Sequence, residues 1–189
     1  MQFGPRVHLA LLGLRCSGKS SVGRELARLL DRELVDLDER IVRLFGAEDT
    51  SPARTAGLIL EERGESRFRD LEETALVETL LAPRPLVIAT GGGVVERPAN
   101  RRRLAGACVC VWLRAPLPEL ARRMRSDPTP RPSLTGADPA DELEALARRR
   151  DPWYAATADL AYDCGLRGPE EIARAIAGAL DPARFRSQG

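Results

Sequence analysis

The segment Gly13-Leu-Arg-Cys-Ser-Gly-Lys-Ser20 restricts this chain more than any other. Its spacing is G-x-x-x-x-G-K-[ST]. It lies between a continuous apolar run, Val7 to Leu12, and a helical pattern from Lys19 to Leu30 in which Val22, Leu26, Leu29 and Leu30 share one stripe. An apolar run without alternation predicts a strand buried on both faces, which requires a parallel sheet with helices on each side. Between such a strand and a helix, loop N–H groups and the helix N-terminus converge on one point and can cradle an anion. Residues Gly13, Arg15, Cys16, Ser17, Gly18, Lys19, Ser20 and Ser21 are therefore candidate contacts for a nucleotide's phosphates. Lys19 would neutralise the phosphates and the Ser20 hydroxyl would ligate magnesium.

The basic residues add a second signal. Of 29, Lys19 is the only lysine and the rest are arginine. A chain that uses arginine everywhere else has lysine where a slim ammonium is needed and a planar fork does not fit.

Strand-like runs recur at Glu33 to Leu37, Leu86 to Ala89, Cys108 to Leu113 and Leu160 to Tyr162. Between them lie helical patterns at Arg97 to Leu104, Leu117 to Arg125 and Glu142 to Arg150, with a last helix from Pro169 to Leu180. Ser51-Pro52 reads as a helix N-cap, and Gly64 as the break before a second helix, about Glu65 to Leu81. Five short strands with helical crossovers predict a three-layer α/β/α sandwich around a five-stranded parallel sheet, with ligands at the strands' carboxyl ends. The run from Ser126 to Pro139, rich in proline and without periodicity, is either a lid or an idle surface loop. The chain, 189 residues long, reads as one domain.

A formal net charge of +1 gives no general electrostatic reason to bind nucleic acid or a membrane. No apolar run approaches the ~20 residues of a membrane span, and the N-terminus lacks leader character, so the expected location is cytoplasmic. Cys16, Cys108, Cys110 and Cys164 make no CxxC pair, and His8 is the only histidine, which argues against a zinc site and a histidine base. Cys108 and Cys110 read as core packing.

Other residues carry candidate chemistry. Asp36-Leu-Asp38 reads as the end of the second strand, with both carboxylates on one side. One could reach magnesium while the other accepts a hydrogen bond from an acceptor hydroxyl; alternatively, Asp38 is a helix N-cap. Arg69 and Glu72, at i, i+3, are either a surface pair or an arginine aimed by a glutamate to grip a carboxylate. Gly91-Gly92-Gly93 after the third strand would let the backbone approach a ligand closely.

Taken in order and spacing, the phosphate loop, Asp36-x-Asp38, Phe68-Arg69-x-x-Glu72, Ala89-Thr-Gly-Gly-Gly93, Arg131-Pro and Arg150-x-Pro-x-Tyr154 resemble the shikimate kinases over about residues 7 to 180. The resemblance implies a nucleoside-monophosphate-kinase-like P-loop fold, with a substrate-binding helical region at about 38–82 and a lid at about 126–139. It implies ATP- and Mg²⁺-dependent phosphorylation of the shikimate 3-hydroxyl by a monomer. By position, Asp38, Arg69, Gly92 and Arg150 would bind shikimate, the arginines on its carboxylate and Asp38 on its ring hydroxyls. Arg131 would reach the transferred phosphate, and Arg123 and Arg167 would flank the adenine. Departures from the family pattern are Cys16 in place of glycine, Ser133 within Arg131-Pro-Ser-Leu134, and Trp153 beside Arg150. The rival readings are a kinase of another polyol acid such as gluconate, and a catalytically idle ligand sensor.

Overall fold

A computed structural model describes residues 8–48, 55–126, 139–165 and 167–180. The described elements run β1 (His8–Leu12), α1 (Lys19–Leu30), β2 (Glu33–Asp36), α2 (Leu37–Glu48), α3 (Ala56–Leu80), β3 (Leu86–Ala89), α4 (Pro98–Ala107), β4 (Cys108–Arg114), α5 (Leu117–Ser126), α6 (Pro139–Thr157), β5 (Leu160–Asp163) and α7 (Pro169–Ala179).

The five strands are all parallel, in the order β2-β3-β1-β4-β5. β1 is central and buried throughout, as its unbroken apolar run requires. Its residues alternate between two cores. Leu9 and Leu11 join Val22 and Leu26 of α1 and Ile172 and Ile176 of α7 on one face. Ala10 and Leu12 face the other, larger cluster with Cys108, Cys110, Ile88 and residues of the remaining helices. Cys108 and Cys110 are thus core residues, and all four cysteines are reduced thiols. Because every strand runs the same way, the carboxyl ends of β1, β2 and β3 open on one edge, where the loops meet.

Several boundaries differ from the sequence reading. β2 ends at Asp36, and Leu37 and Asp38 already belong to α2, a helix that a strand reading through Leu37 hides. Asp36 itself receives the Asp38 backbone N–H at 3.0 Å, so the carboxylate that ends the strand ties down the first turn of the helix. The two aspartates therefore do not share a strand face, and Asp38 is not the cap. On α1, Leu29 is exposed, and Gly23 and Ala27 take the buried places beside Val22 and Leu26. At Gly23 a β-carbon would stand 2.9 Å from Leu34 Cδ1, so glycine sets the close approach of α1 to the sheet.

The Ser51-Pro52 cap lies outside the described residues. The next described helix, α3, begins at Ala56, where Thr55 Oγ1 accepts the Leu58 N–H at 3.3 Å. Gly64 interrupts it with φ 77°, as its sequence position suggests. Arg131 and the interior of the proline-rich run also lie outside the described residues. No helix among the described residues is long and apolar enough to cross a membrane.

Candidate active site

The phosphate loop leaves β1 through two glycines in the left-handed region, Gly13 at φ 140° and Gly18 at φ 98°. A β-carbon on Gly13 would come 2.5 Å from the Leu113 carbonyl oxygen, so only glycine fits there. Cys16 is also left-handed, at φ 61°, and there its β-carbon is a strain that glycine would not carry. Its side chain, half-buried, packs against the larger core cluster. Lys19 is buried, and its ammonium donates to the loop's own carbonyls, Gly13 at 2.9 Å and Leu14 at 2.7 Å. The charge is thereby held at the centre of the loop.

Next to it, Ser20 Oγ donates to Asp36 Oδ2 at 2.6 Å. A hydroxyl and a carboxylate are thus brought together from the first helix and the second strand. With Asp36 turned to Ser20, the Asp38 carboxylate is aimed elsewhere: a β-carbon on Gly91 would lie 2.9 Å from both Asp38 Oδ1 and Glu72 Oε1. The glycine run after β3 accordingly passes between two carboxylates that larger residues would displace.

Behind that run is a buried ionic cluster. Arg69 Nη1 donates to Glu72 Oε2 at 2.7 Å, with side-chain exposures of 8% and 1%. The pair is therefore not the surface pair that its i, i+3 spacing also allowed. Burial raises the pKa of Glu72, with nearby Asp38 adding to it and Arg69 opposing it. Burial alone would lower the pKa of Arg69, but Glu72 and Glu96 outweigh it and raise the value. Arg150, from α6, places Nη1 3.5 Å from where a Gly92 β-carbon would stand, and Tyr154, one turn later, donates its hydroxyl to the Gly92 carbonyl. Arg69, Arg150 and the glycine run thus converge from three elements far apart in the chain.

A cleft of about 610 Å³ lies along the phosphate loop and reaches Asp36, Asp38 and Gly92. Arg15, Cys16, Ser17, Gly18, Lys19, Ser20 and Ser21 of the loop and the start of α1 line it, together with Asp36, Asp38, Gly92, Arg123 and Arg167. Arg69 and Arg150 lie beyond that lining, behind Gly92. Arg123 donates to the carbonyls of Cys164 at 2.7 Å and Gly165 at 3.0 Å, joining α5 to the loop before α7. Arg15 is drawn to Glu142 of α6 at 2.8 Å, and Arg167 is exposed beside Glu171 at 3.5 Å.

One residue of this cluster escapes sequence reasoning. Glu96 accepts from Arg150 and Arg149 and lies near Arg69, partners that are 54, 53 and 27 positions away, so no local pattern marks it. Tyr154 is legible only as a member of the Arg150-x-Pro-x-Tyr154 motif. Its bond to Gly92 spans 62 positions.

The family profile described as shikimate kinase matches residues 15–181. The shikimate kinase of Paracidovorax citrulli is 43% identical over 152 residues, covering 80% of this chain and 79% of that one. Among solved structures, shikimate kinase from Acinetobacter baumannii in complex with shikimate superposes with TM-score 0.81 at 31% identity, covering 95% of this chain and 97% of that one. A gluconokinase from Sinorhizobium meliloti gives TM-score 0.56 at 19% identity over 94% of this chain and 93% of that one, a likeness of fold alone. Profile, identity and coverage agree over nearly the whole chain, which belongs to the shikimate kinase family and is a phosphotransferase.

Proposed function

We propose that the chain transfers the γ-phosphoryl group of ATP to the 3-hydroxyl of shikimate, giving shikimate 3-phosphate and ADP. The observation that carries this reading is the convergence, beside one phosphate loop, of Asp38, the Arg69–Arg150 pair and the glycine run Gly91–Gly93. A hydroxyl acceptor that is also a carboxylic acid needs all three at once.

Phosphoryl transfer asks the protein mainly for positioning and charge neutralisation. Lys19 would exchange the Gly13 and Leu14 carbonyls for phosphate oxygens, a small movement for a flexible ammonium. Asp38 would accept a hydrogen bond from the attacking hydroxyl, orient it and take its proton. Arg69 and Arg150 would grip the substrate's carboxylate, Arg69 aimed by Glu72, with Gly92 allowing the ring to approach the backbone. Arg123 and Arg167 would flank the adenine. Arg131, outside the described residues, would reach the transferred group from a lid at about 126–139, and the helical region at about 38–82 would carry the acceptor.

The oxygens of Ser20 and Asp36, 2.6 Å apart at the mouth of the loop, suit a hard cation such as Mg²⁺. Among the described residues, no group of three or more histidine, cysteine or acidic side chains could hold a metal alone, so the remaining ligands would be phosphate oxygens and water. Bound there, Mg²⁺ would offset charge on the β and γ phosphates.

A single chain supplies every group named, which fits a monomer, and four reduced thiols fit the reducing cytoplasm. The test is ADP release with ATP and Mg²⁺ against a panel of shikimate, quinate, gluconate and nucleoside monophosphates. Turnover with shikimate alone is expected. Faster turnover with gluconate would replace the reading, and no turnover with any acceptor would favour the idle sensor.

A further inference from the structure

Within the buried cluster, Glu96 has no part in the proposed transfer, yet it takes the donors that an acid substrate would need. Its Oε1 accepts from Arg150 Nε at 2.8 Å and Nη2 at 2.6 Å and lies 3.5 Å from Arg69 Nη2. Its Oε2 accepts from Arg149 at 2.7 Å. The side chains of Arg69, Arg150 and Glu96 are 8%, 6% and 7% exposed, so these contacts are made largely out of water. There each is stronger than on the surface, and an uncompensated charge is costlier. Burial opposes the charged form of Glu96, but Arg150, Arg69 and Arg149 prevail and hold its pKa below the usual carboxylate range.

Carboxylates already match the arginines around the pair, and Asp38 adds a further negative charge close to Glu72. Arg69, Arg149 and Arg150 face Glu72 and Glu96 inside the cluster and Glu65 at its exposed rim, 3.6 Å from Arg69. A substrate carboxylate brought to the arginines adds a negative charge in a poorly hydrated place unless one of the existing carboxylates gives way. Glu72 is locked by Arg69 on its own helix. Glu96 is the group that can yield, because its backbone N–H is fixed to the Gly93 carbonyl at 2.9 Å while its side chain can turn away with Arg149 at the surface.

We infer that Glu96 is a built-in competitor for the substrate's carboxylate: it keeps Arg69 and Arg150 converged and sets the affinity for acid substrates by yielding the pair to them. The inference rests on the reading that these arginines bind the carboxylate. Small anions, which bring no ring hydroxyls to Asp38, cannot displace Glu96, so the pair is selective for a carboxylate carried on the right ring.

The test is Glu96→Gln, which keeps the size and one acceptor oxygen but removes the charge, assayed with shikimate and with its methyl ester. The KM for shikimate falls about fivefold to tenfold while kcat moves far less, and the KM for the ester is unchanged. Acetate at millimolar levels is expected to leave the natural protein uninhibited and to inhibit the variant competitively. A KM that rises for acid and ester alike, or an unchanged KM for shikimate, overturns the inference. A thermal midpoint within a few degrees of the natural protein's shows that the variant is folded. If it is not, acetate inhibition of Glu96→Asp, whose shorter reach loosens the same contacts, decides instead: no inhibition overturns the inference. Arg69→Ala and Arg150→Ala separate the two layers. If both leave the shikimate KM unchanged, the acid-site reading and this inference fall together. If they raise it while Glu96→Gln does nothing, only the inference falls.

Discussion

The guanidinium of Arg69 lies against the α-carbon of Gly93 so closely that a β-carbon there would overlap both terminal nitrogens. An arginine tip is mobile in principle, but this one is buried and held by Glu72 at 2.7 Å. Gly93→Ala therefore leaves the fold intact and pushes Arg69 off its place, raising the KM for shikimate at least tenfold, a factor worth about 1.4 kcal/mol. Gly64→Ala, at φ 77° with open space around it, is the control: it costs about 1 kcal/mol of stability and leaves KM alone. Steady-state kinetics on the two variants checks both halves, and an unchanged KM in Gly93→Ala would show that Arg69 is not at the acceptor's carboxylate.

Lys19→Arg is expected to lose activity nearly as completely as Lys19→Ala, by a hundredfold or more in kcat/KM. The ammonium reaches two carbonyls of its own loop, at 2.9 and 2.7 Å, from a side chain buried among backbone groups. A guanidinium is broader and rigid, and entering the same space would open the loop. ATP binding by calorimetry checks this, since both variants should bind the nucleotide weakly. Turnover within tenfold of normal in Lys19→Arg would refute the steric argument.

Much of this architecture is legible because its signals are local. The apolar run before Gly13 announces a central parallel strand, and the glycine and lysine spacing announces the phosphate loop and α1 behind it. Asp38 is misplaced by sequence for an equally local reason. Asp36-Leu-Asp38 alternates like a strand, and only the hydrogen bond from the Asp38 N–H to Asp36 shows that the helix has already begun. Glu96 is invisible because it lies in the bend before α4, its three arginine partners come from α3 and α6, and the sequence offers no period or spacing that links them. The single buried stripe expected on α1 fails at Leu29 because small residues, Gly23 and Ala27, take the contact with the sheet.

His8 gives the fold a pH dependence of known sign. Its Nδ1 accepts the Leu86 N–H at 3.2 Å across β1 and β3, so that nitrogen must be free of a proton. Burial, together with the charge of Arg32, lowers its pKa from the ordinary value. A base whose folded pKa is depressed keeps its stabilising effect above the unfolded pKa, near 6.5, and loses it as the pH falls below. Between pH 7.5 and 5.5 the loss from this residue is expected to be about 1 kcal/mol or less. Urea midpoints of the natural protein and His8→Asn at both pH values measure it. The difference between the two proteins should narrow at pH 5.5, and a constant difference would show that His8 does not titrate in this window.

Cys16 combines a strained backbone with a place in the cleft lining. Its φ of 61° puts a β-carbon in the left-handed region, a conformation that costs an ordinary residue roughly 1–2 kcal/mol. Glycine relieves that, but it also adds chain entropy to the unfolded state worth roughly 0.4–1 kcal/mol. Because the half-buried Cys16 side chain also loses its packing on the core cluster, Cys16→Gly is expected to stay within about 0.5 kcal/mol of the natural protein, read as a nearly unchanged urea midpoint and slope. Reactivity depends on access. Cys108, Cys110 and Cys164 are buried, and burial pushes the Cys164 thiol up to about 11. At pH 8 such a thiol is ionised only on the order of 0.1% of the time, and alkylation requires the thiolate. Cys16 lines the cleft, beside Arg15 and Lys19. Limited iodoacetamide treatment should therefore label Cys16 first and inactivate the enzyme, Mg-ATP should protect against both, and Cys16→Gly should resist inactivation. Peptide mapping by mass spectrometry reads the order directly. Equal labelling of Cys16 with and without Mg-ATP would mean that nucleotide does not cover it, and labelling of Cys16 no faster than of Cys108, Cys110 or Cys164 would show that its packing on the core cluster hides the sulfur.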